Sequence, residues 1–296
     1  MNARLNPQAR TALVSILGMG IAMIVLSSLA FAGGSRVAAD GNGGNPRVLP
    51  PGSNPYGHTY GEWGAAWWQW ALSIPGPQNP LNDQTGANAG SSQSGPVWYL
   101  AGTLCPDIEE GCGFATATRT ITVPSGKALF FPIVNTECSV FEGNGTTEAE
   151  LRACTAGQMA SVTRLECDVD GTTLNNLDAY RGPSFLFTWG PLPNDNLLML
   201  FGLDAPPGTT SAAVSDGIYL MFAPLPVGSH TIHFTGWFGD AFGLEVTYHL
   251  TVAHDGVSAS VGAADPAAGG KVSAASDNSN PNAVSTSWGR MKSTYR

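Results

Sequence analysis

The chain has 296 residues, 43% of them hydrophobic and only 12% charged, with 37 Gly, 21 Pro and a formal net charge of −9. A charged fraction about half the usual globular value, together with so many turn-formers, excludes coiled coils, helical bundles and charged disordered chains. The acidic balance also lacks the basic footprint that DNA or RNA binding needs, so no nucleic-acid partner is expected.

Residues 1–32 read as a signal peptide. Arg4 and Arg10 form a positive start, an apolar stretch runs from Thr11 to Leu29, and Ala30-Phe31-Ala32 supplies the small residues of a cleavage site. The expected location is extracellular or periplasmic, after cleavage near Ala32; the apolar stretch is long for a signal, and an uncleaved signal anchor is the rival reading. Cleavage removes two Arg and no acid, which leaves 11 basic and 22 acidic residues and a net charge of −11. No later apolar run reaches the 18 or so residues of a membrane span, so no stable span is expected after cleavage.

Residues 33–55 are rich in Gly, Pro and Asn and read as a flexible linker. Residues 56–254 form the folded domain. Residues 255–296 form a low-complexity tail of Ala, Ser, Gly and Asn, with too little apolar surface to fold. Its last residues, Trp288 to Arg296, hold the basic cluster Arg290, Lys292 and Arg296.

The domain opens with a helix. Thr59 and Glu62 form a capping box, Pro75 and Pro77 end the element, and Trp63, Trp67 and Trp70 fall at i, i+4 and i+7. At that spacing the Trp stripe packs the helix onto a sheet; Trp68 points elsewhere. Strands follow over Pro96–Gly102 and Ala117–Val123, where Arg119, Ile121 and Val123 alternate with threonines. Lys127–Val134 is an apolar run that Pro132 places at a bend or an edge. A second helix starts at Thr147, with a capping box to Glu150. Further strands are read over Thr163–Val169, which turns at Asp170-Gly171, and over Ser184–Trp189, Leu197–Phe201 and Gly217–Ala223. Ser229–Thr235 and Leu244–Val252 alternate strictly and form a hairpin through the loop Gly236–Gly243. The fold class expected is mainly β: a single antiparallel β-sandwich or jelly roll with one or two short helices packed on it.

All five cysteines follow the signal, and an oxidising compartment permits disulfides. Cys105 and Cys112 bracket a short loop that a local disulfide could close. Cys167 alternates inward with Leu165 and Val169 and stays a buried thiol, which pairs Cys138 with Cys154.

The segments YGEWGAAWWQWALSIP, SGPVWYLAGT, VPSGKALFFPIVN and SDGIYLMFAPLPVGSHTIHF resemble a group of uncharacterised secreted bacterial proteins. The resemblance covers roughly residues 56–253. It implies export and a β-rich fold, and it transfers no activity.

No linear catalytic motif is present, and no cofactor or metal is expected. His233, His249 and Glu245 fall on the solvated face of this hairpin, where cross-strand register could bring them together, but without the spacing of a known metal site. Glu166 to Gly171 is better read as a hairpin turn than as a calcium loop. The most suggestive feature is the Gly-rich loop 236–243, where Trp237, Phe238, Asp240 and Phe242 suit stacking on a sugar or an apolar partner; the bland alternative folds the loop back over the sandwich end. The leading expectation is a secreted, non-catalytic binding or cell-surface module with a carbohydrate or surface component as partner. The alternative is a secreted hydrolase acting on a glycan or another extracellular polymer, with its site assembled from separate loops.

Overall fold

The computed structural model describes residues 45–105, 113–240 and 242–254. The expected signal peptide, the first part of the linker, Cys112 and the tail from 255 lie outside the described residues.

Thr59 is extended and begins helix α1 (Tyr60–Ser73), in a complete capping box with Glu62. The last carbonyls of α1 are met by Asn79, whose amide donates to Ala71 and Ile74 before the Pro-rich turns begin. The strands and remaining helices follow in order: β1 (Val97–Tyr99), β2 (Phe114–Pro124), β3 (Ala128–Ser139), α2 (Glu148–Met159), β4 (Val162–Val169), β5 (Thr172–Thr173), β6 (Phe187–Trp189), α3 (Leu197–Leu200), β7 (Ser211–Phe222), β8 (Gly228–Phe238) and β9 (Phe242–Ala253). They form two sheets, ordered β1-β3-β7-β6 and β2-β9-β8-β4-β5. The inner faces meet through aromatic rings: Phe131 of β3 stacks on Phe234 of β8 at 5.0 Å. The molecule is thus a mainly β sandwich with a few short helices.

Four details differ from the sequence expectation. The sheets are mixed, because β1 runs parallel to β3 and β2 runs parallel to β9 over its whole length. β3 lies inside its sheet between β1 and β7, and Pro132 is accommodated where the register with β7 shifts, between 132 and 134. Leu197–Phe201 holds a helical turn, α3, started by the Asn196 side chain, which accepts from Met199 N–H. Residues 45–55 are packed rather than free linker. Val48 bridges Phe222, Leu49 N–H donates to Met221, and the Asn45 amide donates to Asn175 and Tyr180.

α1 packs closely on the outer face of the β3/β7 sheet. Its Trp stripe is buried, as the helical spacing predicts, and Trp68 is buried as well. The approach is set by glycine: a methyl group on Gly61 would sit 2.2 Å from the Pro183 carbonyl, and one on Gly64 would sit 2.6 Å from the Tyr219 ring. With α1 on one face and the second sheet on the other, β3 and β7 are buried on both sides. Their apolar runs are continuous for that reason. The helix α2 is tied to β3 by the Cys138–Cys154 disulfide, and Cys167 is a buried free thiol, both as the spacing and alternation imply. Cys105 is also disulfide-bonded.

Candidate functional site

The hairpin of β8 and β9 is longer than the sequence suggests. Pairing continues to Phe238 opposite Phe242, so three of the four candidate residues stand in strands and Asp240 lies in the turn between them. Strand alternation then decides where each side chain goes. Trp237 lies on the outer face, with Phe114 beyond Gly243 in the neighbouring strands. The two rings stack at 4.9 Å, and the indole lies so close over Gly243 that a methyl there would meet it at 2.4 Å. Trp237 therefore covers a glycine and is not a free stacking platform. Asp240 is exposed in the turn. Phe238 and Phe242 turn inward and are only 2% and 8% exposed. The structure thus splits the four residues between two faces of one hairpin.

Phe238 and Phe242 do share one feature. Both line an apolar pocket of about 50 Å³ at the end of the sandwich, together with Trp67 and Trp68 of α1, Ile133 of β3 and Leu197, which begins α3. Leu81, Gly102, Thr103, Leu104, Pro132, Phe201 and Leu244 lie around them. Thr103 and Asn135 are the polar residues on these walls. An apolar wall of this kind suits a ligand group that is largely hydrocarbon.

The pocket loops are held by Arg119, which points inward from β2 and is fully buried. Its guanidinium donates to the main-chain carbonyls of Pro80, Asp83, Ala101 and Gly102, and to the Tyr248 hydroxyl, at 2.6–2.8 Å. It also lies 5.2 Å from the Tyr248 ring centre. Five donors meet five oxygens, so the two loops that carry Leu81 and Gly102 share one anchor. Burial raises the Tyr248 hydroxyl pKa, while the Arg119 charge pulls the other way. Burial likewise pushes the nearby Asp83 carboxyl up, but N–H donors from Asn88, Thr85 and Gly86 together bring it below its usual range. The inward period of Arg119 with Ile121 and Val123 was the available signal for this role; no sequence pattern identifies the carbonyls it serves.

The other candidates come together only in part. His233 bonds Glu245 at 2.9 Å across the β8–β9 ladder, whereas His249 stands opposite Thr231, one step away. No cluster of three metal-ligating groups forms among the described residues. Asp170 and Gly171 both have positive φ, 50° and 77°, and make the β4–β5 hairpin turn. Asp170 accepts from the Thr231 N–H and bonds His230 at 2.7 Å, which leaves it structurally committed.

A second, polar hollow of about 370 Å³ lies between β4 and residues 174–178. Arg164 on its wall is already bonded to Glu166.

The chain matches no protein-family model, no curated protein and no solved structure.

Proposed function

We propose that this chain is a non-catalytic binding module of an exported protein, and that the pocket between Trp68, Ile133, Phe242 and Leu244 takes an apolar group of its partner. The observation that carries the reading is the pocket itself: an aromatic-lined recess at the sandwich end whose loops are pinned by a buried arginine. Its walls hold no carboxylate, so a glycan hydrolase has no acid–base pair to use there. Phe238 and Phe242 face inward, which favours an apolar group over a sugar ring stacked on the hairpin. The disulfides suit an oxidising compartment, and among the described residues no helix is long and apolar enough to cross a membrane. The resemblance to secreted bacterial proteins belongs to the same proposal.

The test is calorimetric titration with indole, a rigid apolar probe with one polar edge. A pocket this small should hold it at about 1 mM, or about −4 kcal/mol. Gly102→Val fills the recess: a Cβ there makes only ordinary contact, 3.7 Å from Leu244. Binding that disappears in this variant supports the reading; equal binding by both proteins contradicts it.

A further inference from the structure

The polar hollow beside β4 is of ligand size, at about 370 Å³, and shares no lining residue with the apolar pocket. Two departures from regular structure shape its walls. On one side the β4–β8 register shifts between Val162 and Arg164, a bulge that leaves Thr163 as the extra residue. On the other side pairing to β4 ends at Leu174, whose N–H still reaches the Cys167 carbonyl, and Asn176 then turns left-handed at φ 53°. Asn45 braces this second wall. Its side chain accepts from the Asn175 N–H at 2.7 Å and donates to the Asn175 carbonyl at 2.8 Å. Leu174 and Leu177, which also line the hollow, are buried in the hydrophobic core.

The walls offer hydrogen-bonding groups that the fold does not use. The Asn176 side chain does not cap the turn that follows it. Among the described residues, neither its amide nor the Thr163 hydroxyl nor the Asp178 carboxylate has a hydrogen-bond partner, and all three residues are exposed. Arg164 gives Nε and Nη2 to Glu166 at 3.0 Å each, which leaves Nη1 with two hydrogens to donate. Arg164 can only donate and Asp178 can only accept, whereas the hydroxyl and the amide do both.

That combination selects a class of ligand. An anion meets an arginine already answered by Glu166, with Asp178 opposing it. A divalent cation needs several oxygen ligands, and no group of three metal-ligating side chains forms among the described residues. A neutral sugar fits, because each of its hydroxyls donates and accepts, and adjacent hydroxyls suit a carboxylate on one wall and a guanidinium edge on the other. With a single carboxylate on the lining there is no acid–base pair, so the site binds and does not cleave.

We infer that this hollow is a saccharide-binding site that takes one neutral hexose unit. Asp178 and Asn176 hold hydroxyls from one wall, and Arg164 Nη1 and Thr163 hold them from the other. The site is separate from the apolar pocket and does not depend on what that pocket binds.

The test is amide NMR of the full chain titrated with the methyl glycosides of glucose, galactose, mannose and N-acetylglucosamine. At least one of them should shift residues 162–165 and 174–178. Asp178→Asn removes a charged acceptor and should weaken that binding ~10-fold. Asn176→Gly keeps the left-handed backbone, removes the amide and should weaken it several-fold. Both positions are exposed, so the unfolding midpoint should barely move in either variant. Gly102→Val, which fills the apolar pocket, should leave sugar binding unchanged, so failure of one site is read separately from failure of the other. Sugars that leave these residues unshifted, or that bind both variants as tightly as the parent, overturn the site. Shifts produced by glucuronate and by no neutral sugar identify an anion site and overturn it equally.

Discussion

Arg119 is the residue on which the pocket depends most. A guanidinium buried without a carboxylate partner persists because each of its five hydrogens meets an oxygen and its plane lies near the Tyr248 ring. Lysine brings the same charge with three donors and no fork, so Arg119→Lys leaves buried carbonyls unanswered. The expected loss is about 3 kcal/mol in denaturant unfolding, accompanied by loss of indole binding. A variant of unchanged stability would remove the anchor role. The Asp170–His230 pair is a smaller, pH-dependent contributor. Burial pushes the His230 pKa down, but the bond to Asp170 outweighs it and raises the value above the usual one. Burial pushes Asp170 up, while donors from His230 and Thr231 hold it below the carboxylate range. The histidine part is fully present below about pH 6.5 and fades as pH rises through the raised value; the aspartate part is present above about pH 4 and fades below it. Between those limits both act. His230→Gln should therefore destabilise the fold more at pH 5.5 than at pH 9 in denaturant unfolding, by less than about 1 kcal/mol because the aspartate is half exposed. An equal drop at both pH values would show that the pair carries no charge-dependent stability.

At the scale of elements, α1 shows what sequence pattern reveals and what it hides. Its cap, its end and its buried Trp face follow from Thr59, Glu62, Pro75 and the 3.6-residue period. Gly61 and Gly64 were equally visible, yet only packing explains them: each lowers helix propensity by about 1 kcal/mol and is present because Pro183 and Tyr219 leave no room for a methyl. Gly64→Ala should consequently destabilise despite its better propensity, by about 1–3 kcal/mol from overpacking in thermal unfolding; a stabilised variant would contradict the close approach. The β8–β9 hairpin was legible in its alternation, but the end of pairing was not. By sequence Gly236, Gly239 and Gly243 belong to one Gly-rich loop, whereas Gly236 and Gly243 sit in strands under the close approach of Val134 and Trp237. That difference moved Phe238 and Phe242 from a surface loop into the pocket wall. The five apolar residues of Leu197–Phe201 fit a strand or a helical turn equally well by sequence, and the Asn196 cap decides for the turn.

For the whole molecule, composition and alternation were enough for a turn-rich sandwich with two capped helices. Strand direction was not legible. The parallel pairing of β2 with β9 joins the first and last long strands of one sheet, and no local signal marks a partner so distant in sequence. The pocket is non-local for the same reason, since its walls come from α1, β3, α3, the β8–β9 hairpin and the two loops that Arg119 fixes. The most direct test of its role is methyl NMR of the full chain titrated with indole. The account predicts shifts confined to Leu81, Leu104, Ile133, Leu197 and Leu244, and absent in Gly102→Val. Shifts centred instead on the Trp237–Phe114 face, or unchanged by Gly102→Val, would contradict it.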